Sequence, residues 1–325
     1  MYAGIDIGGT KCAVTLGRER PDGEMKLLAK AQFATHGTPT DILERLAEEL
    51  KRLLHEQKLN EGDLKAVGIS CGGPLDSARG IVQSPPNLPG WDGIHVTDYF
   101  SNITGAPAYL ENDANACAVA EWKYGAGRGK ENMVFLTFGT GLGAGLILNG
   151  ALYRGANGNA GEIGHLRLRR NGPLGFGKHG SAEGFCSGAG LARQARLAAR
   201  RDPEGAAPLL RLCGGINGIQ ARAIAELAGQ GDRFCQEIYH RCGEMLGETL
   251  AILVDLLNPE RILLGGIYMR SAELLCEGMR RTLGREALPN ALSVCEIFPA
   301  GLGERIGDYA ALSVAVNREQ GTLSG

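Results

Sequence analysis

The chain lacks a long apolar run, a charge of either sign in excess, and any paired-cysteine motif. No stretch approaches the ~18 consecutive apolar residues that a membrane-spanning helix requires, so no membrane partner is expected. Lys plus Arg against Asp plus Glu is 34 − 36 = −2, which leaves no electrostatic footprint for nucleic acid or an anionic membrane. The nine cysteines, at 12, 71, 117, 186, 213, 235, 242, 276 and 295, form no CxxC. Their number is odd and the chain is large, so a disulfide framework is not expected. Most sit in apolar contexts, where a reduced cysteine is a small hydrophobe. The opening MYAGIDIGGTKCAV has no charged segment leading into an apolar one, so no signal peptide is expected. A cytoplasmic protein is the reading that follows.

Glycine, by contrast, is abundant: 50 of 325 residues, roughly twice the ~7% of average usage. The glycines follow no period and form no linker-like tract. They cluster as IGGT, SCGGP, FGTGLGAG, GANGNAGEIG and LLGGI, each after or within an apolar stretch. Glycine lets a backbone approach a ligand closely and adopt positive φ. Repeated glycine corners at strand ends suggest a phosphate-handling α/β protein. With 44% hydrophobic residues the chain can bury a sizeable core, and its length allows two domains.

AGIDIGGTKCAVTLG reads as two strands around a tight turn, and EMKLLAKAQFAT as a third. TDILERLAEELKRLLHEQ carries a helical period, with Thr40 the expected cap. LKAVGIS is a strand ending in the CGGPLD corner. A helix is expected around 96–103, then a strand and helix around LENDANA. NMVFLTFGTGLGAGLILNGALYRG repeats the opening pattern, so a duplicated core is expected, with one copy per domain. Helices follow over 187–228 and 232–257, then the strand RILLGGI, a helix over 272–284, the strand SVCEIFPA and a final helix, DYAALSVAVNRE.

Three motifs carry chemistry. DIGGTK (Asp6–Lys11) is no Walker A loop, because GxxxxGK is absent. It does place an acidic residue on a strand with backbone N–H groups just beyond, which suits a nucleotide–Mg²⁺ site. FGTGLGAG fits GxGxxA, but a dinucleotide fingerprint must open a helix, and here a strand follows; a second phosphate cradle is the better reading. LENDANA crowds Glu111, Asn112 and Asp113 onto one strand-to-helix corner, where Asp113 alone would pass for a helix cap. GNAGEIGHL adds Glu162 and His165, and GSAEGF adds Glu183. Such a mixture of acceptors and donors is what a polyhydroxylated ligand needs, since each buried hydroxyl left unpaired costs about 1–3 kcal/mol.

In this order and spacing, DIGGTK, ENDANA, LTFGTGLGAG, GNAGEIGH and NPERILLGGI resemble the ROK family of sugar kinases and related repressors, from Gly4 to about Ala315. The resemblance implies a two-domain α/β actin-like ATPase fold, a duplicated ribonuclease-H-like architecture. Residues 1–114 with a C-terminal helix in 306–325 would form the smaller domain and 115–305 the larger, with the active site in the cleft between. By resemblance, Asp113 is the catalytic base. Gly72, Gly73, Asn87, Asn112, Glu162, His165 and Glu183 bind sugar. Asp6, Gly8, Gly9, Thr10 and Lys11 form the first phosphate loop, Gly139, Thr140 and Gly141 the second, and Gly265 and Gly266 the adenosine side. ATP and Mg²⁺ are the implied cofactors, with Mg²⁺ near Asp6, and a homodimer the implied assembly.

One departure stands out. Zinc-containing members follow the GH motif with CxCGxxGCxE. Counted back from Glu183, those cysteine positions hold Leu174, Phe176 and Ser181; counted forward from His165, the first two hold Gly175 and Gly177. No structural zinc is expected, and His165 loses the metal that would normally orient it. The expected activity is ATP-dependent phosphorylation of a hexose, glucose first because NLPGW and ENDANA resemble glucokinase-like members. N-acetylmannosamine or N-acetylglucosamine and then fructose are the alternatives. A sugar-responsive repressor is the reading from another class; with five residues before Asp6 and no basic patch, a DNA-reading helix is not expected.

Overall fold

The structure, a computed structural model, describes residues 1–320. In chain order the strands are β1 (Tyr2–Ile7), β2 (Lys11–Glu19), β3 (Met25–Ala34), β4 (Ala66–Cys71), β5 (Leu75–Asp76), β6 (Ile81–Gln83), β7 (Asp92–His95), β8 (Ala108–Asn112), β9 (Met133–Phe138), β10 (Leu142–Leu148), β11 (Ala151–Tyr153), β12 (Leu174–Gly175), β13 (Lys178–His179), β14 (Arg261–Leu264) and β15 (Glu296–Pro299). The helices are α1 (Pro39–Glu56), α2 (Val96–Thr104), α3 (Asp113–Tyr124), α4 (Ala182–Phe185), α5 (Gly188–Arg201), α6 (Ala207–Leu212), α7 (Ala221–Gly229), α8 (Arg233–Leu257), α9 (Ile267–Glu286), α10 (Pro289–Leu292) and α11 (Ile306–Glu319). No helix among the described residues is long and apolar enough to cross a membrane.

Two compact units divide the chain. The first holds Met1–Glu131, Gly145–Ala160 and a C-terminal part from Gly301; the second holds Asn132–Ala144 and Gly161–Ala300. The first unit therefore reaches past residue 114 to include α3. The reason is packing: Ala116 of α3 is buried against Ala310 and Val314 of α11, so the helix that follows the LENDANA corner shares a core with the C-terminal helix.

In the first unit the sheet order is β3-β2-β1-β4-β8. β1 is antiparallel to β2 and parallel to β4, which is parallel to β8. β4 is buried along its whole length and β1 along nearly all of it, as expected where helices cover both faces of parallel strands. One face packs Leu46, Leu50 and Phe100 of α1 and α2 onto Ile5 and Ile69. On the other face Leu312, Ala315 and Val316 of α11 pack with Tyr2 and Ala66. Gly68 permits that contact: a Cβ there would meet the Ala311 carbonyl oxygen well inside van der Waals distance. The register Ile7↔Cys71↔Asn112 brings the carboxyl ends of β1, β4 and β8 to one edge, the place where open α/β sheets bind ligands.

In the second unit β14 lies parallel to both β9 and β15, with the start of β10 on the other side of β9. β10 and β14 thus flank β9 as β2 and β4 flank β1, and the duplicated core expected from the two glycine corners is present. The long helix α8 begins at its Asp232 cap and stops where Asn258 turns left-handed at φ 43°.

Two local details differ from expectation. The cap of α1 is Thr38, not Thr40, because Pro39 occupies the first helical turn and Asp41 closes a capping box with Thr38. Helix α9 starts at Ile267, directly after Gly266, and bends at Ser271.

Candidate active site

The edge of the first sheet gathers one set of candidate residues. Asp6 is the second-last residue of β1, and the turn after the strand is closed by Gly8 N donating to Lys11 O at 3.2 Å. Thr35 Oγ1 donates to Gly8 O at 2.6 Å, and Thr35 N donates to Thr10 O at 3.0 Å, so the residue just after β3 pins the loop. Gly9 lies directly against the Asn87 carbonyl, leaving no room for a side chain. Asn87 also comes near Gly72: a Cβ on Gly72 would lie 3.7 Å from Asn87 Oδ1 and 3.9 Å from Asp113 Oδ2. A Cβ on Gly73 would lie 3.5 Å from Asn112 Nδ2. Asp6, Gly8 to Lys11, Gly72, Gly73, Asn87, Asn112 and Asp113 therefore share one edge of one unit.

The crowding at LENDANA resolves into three roles. Asn112 is the helix cap: its Oδ1 accepts from Ala114 N at 2.9 Å and from Asn115 N at 3.4 Å. That leaves Asn112 Nδ2 on the side of Gly73, and leaves Asp113, the first residue of α3, exposed. Glu111 is buried and anchors the corner. Its carboxylate accepts from Asn112 N at 3.1 Å, Asn115 Nδ2 at 3.0 Å and Arg154 Nε at 2.8 Å, and it forms an ion pair with Arg154 Nη2 at 2.8 Å. Sequence reasoning missed Arg154. No motif marks it; only the need of a buried carboxylate for a cation pointed that way.

Two carboxylates at this edge repel each other. The Asp6 carboxyl is pushed up to about 7, first by burial and then by the charge of Asp113, with Lys11 and Lys30 pulling the other way. The same carboxylates, together with burial, raise the Cys71 and Cys117 thiols. A divalent cation relieves such repulsion, so the residues present fit Mg²⁺.

The second unit holds the other set. Gly139 N donates to Gly141 O at 3.0 Å, closing the turn between β9 and β10, and Gly188 N at the start of α5 donates to Gly139 O at 2.8 Å. Gly266, at φ 65°, sits against the Phe138 carbonyl, where a Cβ would collide, so the Gly265–Gly266 corner and the start of α9 adjoin the same turn. Glu162 precedes and His165 ends a short 3-10 turn, Ile163–His165, docked by Ala144 N donating to Gly161 O at 3.0 Å. Glu183 Oε2 accepts from Leu142 N at 3.2 Å, and a Cβ on Gly141 would stand 2.6 Å from it. That tie between Glu183 and the Gly139–Gly141 turn was not foreseen. The Glu162 carboxyl is raised, chiefly by the protein around it, with His165 lowering it and Glu183 raising it.

The family model described as "ROK family" matches residues 2–317. The chain belongs to the ROK family. Its relatives include a glucokinase of Thermotoga maritima, 31% identical over 317 residues and covering 97% of each chain. An N-acetylmannosamine kinase of Escherichia fergusonii is 30% identical, covering 81% of each. Among solved structures, a ROK-family glucokinase from Streptomyces griseus in complex with glucose and AMPPNP is 33% identical. It matches with a TM-score of 0.77, covering 97% of this chain and 99% of that one. The fold is accordingly the actin-like ATPase fold, and the ROK motifs lie on the glycine corners and the β8–α3 corner described above.

Proposed function

We propose that this ROK-family chain is an ATP- and Mg²⁺-dependent hexose kinase that converts glucose to glucose 6-phosphate. The observation that carries the reading is the acidic edge of the first sheet: Asp113 exposed beside Asp6, Asn87 and two glycine corners. The kinship to glucokinases along nearly the whole chain supports it.

The chemistry follows from the side chains. Asp113, held by the Asn112 cap and the Glu111–Arg154 anchor, takes the proton of the attacking sugar hydroxyl. The hydroxyl oxygen forms its bond to the γ-phosphorus, and the bond to the bridging oxygen breaks, releasing ADP. Protein groups mainly position the partners and neutralise charge in such a transfer. Backbone N–H groups of Gly8 to Lys11 and Gly139 to Gly141 receive phosphate oxygens. Asp6 would hold Mg²⁺ with the nucleotide, and the ion supplies neutralisation of phosphate charge. Gly265 and Gly266 serve the adenosine side. Gly72, Gly73, Asn87, Asn112, Glu162, His165 and Glu183 serve the sugar. A homodimer in the cytoplasm is the assembly this reading carries with it.

A coupled assay with ATP and Mg²⁺ across glucose, N-acetylmannosamine, N-acetylglucosamine and fructose tests the proposal. Glucose is expected to give the highest kcat/KM. No turnover of any of these sugars, or a clear preference for an N-acetylhexosamine, overturns the glucose assignment.

A further inference from the structure

The resemblance to zinc-containing members of the ROK family implies three cysteines in the loop between His165 and Glu183. Here the corresponding positions are Leu174, Phe176 and Ser181, or Gly175 and Gly177 in the other register. None supplies a sulfur or nitrogen ligand for tetrahedral zinc. The nearest thiol in sequence, Cys186, is buried, donates to Cys242 O at 3.5 Å, and is held well above its ordinary value by that burial. The donor set does not fit a zinc ion.

A hairpin occupies the place instead. β12 and β13 pair antiparallel, Leu174 with His179 and Gly175 with Lys178. Phe176 and Gly177 form the turn at φ 40° and 76°, both positive, as a two-residue hairpin turn of this hand requires. The base is sewn to the strand after His165. Leu168 N and Arg169 N donate to Gly180 O at 2.9 and 3.1 Å, and Ala182 N donates to Leu166 O at 2.8 Å. Arg167 Nη1 donates to His179 O at 2.8 Å.

Two side chains of the hairpin reach back to His165. Lys178 Nζ donates to His165 O at 2.7 Å. The Phe176 ring and the imidazole form a T-shaped pair, with centroids 6.4 Å apart and planes at 77°. Phe176 is 70% exposed and adopts a left-handed φ that a bulky residue rarely takes. Core burial does not account for an aromatic side chain at that position.

We propose that this hairpin holds His165 in place. Phe176 and Lys178 are positioning residues: the aromatic ring fixes the imidazole of His165 and the ammonium fixes its main chain. The inference rests on the reading of His165 as a sugar ligand.

The test compares Phe176→Ala, Lys178→Met and His165→Ala in the full-length protein, each checked for folding by circular dichroism. The expected result for the two hairpin variants is a rise in the glucose KM of about fivefold, the scale of one lost aromatic contact, with kcat and the KM for ATP kept within about twofold. Phe176→Tyr and Lys178→Arg should restore the KM. Carbon-13 relaxation of the His165 ring should show faster motion in Phe176→Ala. Elemental analysis should find far less than one zinc per chain, and pre-treatment with a zinc-selective chelator, removed before the MgATP assay, should leave the glucose KM unchanged. If His165→Ala raises the KM while the hairpin variants leave both KM and ring motion unchanged, the positioning role is wrong. If His165→Ala leaves the KM unchanged, the sugar role of His165 fails, and unchanged ring motion in Phe176→Ala would then overturn the brace as well. One zinc per chain whose removal raises the glucose KM also overturns it.

Discussion

Replacing Asp6 by Asn is expected to stabilise the metal-free protein and to abolish its turnover. The Asp6 carboxyl is pushed from an ordinary 3.8 up to about 7 by burial and by Asp113. Between these two values the folded chain holds a proton that the unfolded chain has lost. Stability therefore falls as pH rises from about 4 to about 7, and stays at its lower level above that. At about 1.4 kcal/mol per pH unit across that window, the ionised folded form is worse by roughly 4 kcal/mol at most, less where solvent screens the pair. Asn has the same shape and no charge, so Asp6→Asn removes the cost. In EDTA at pH 8 the variant should be the more stable by up to about 4 kcal/mol, and at pH 5 the gap should fall below about 2 kcal/mol. Both tryptophans, Trp91 and Trp122, belong to the first unit, so urea unfolding followed by fluorescence reports the unit that contains Asp6. A gap that does not change with pH, or a variant less stable at pH 8, would refute the reasoning. Adding MgATP should stabilise the wild type more than the variant, because a ligand stabilises in proportion to its affinity for the folded state.

Two further predictions concern support of the site. Arg154→Met strands the buried Glu111 carboxylate and should cost about 3–5 kcal/mol; thermal unfolding measures this, and kcat should drop in the protein that still folds, because Asn112 and Asp113 share that anchor. Gly68→Ala drives a methyl group into the Ala311 carbonyl and should destabilise by roughly 2–3 kcal/mol, read from the denaturant midpoint, with the KM values little changed.

Much of this architecture was written in local pattern. The two strand–glycine–strand openings foretold a duplicated core, and α8 was bounded by its Asp232 cap and by Asn258-Pro259. What local pattern could not hold was set by contacts distant in sequence. Residues 113–124 join the first unit because α11 packs on them. Asn112 rather than Asp113 caps α3, a choice that depends on which side chain the backbone turns toward the helix axis. Arg154 is joined to Glu111 across 43 positions, and Glu183 to Leu142 across 41; neither tie leaves a trace in spacing. The β12–β13 hairpin was invisible because its turn uses Phe176 at positive φ, where sequence rules anticipate Asn, Asp or Gly.

The most direct measurement is phosphoryl transfer to glucose by Asp113→Asn. Asn112 keeps the helix cap, so the fold and the affinity for glucose should persist. The account predicts that kcat falls by about 10²-fold or more, the usual share of a positioned base, while the glucose dissociation constant changes little. A variant that retains most of its kcat would contradict the role of Asp113 as the base, and with it the mechanism proposed here.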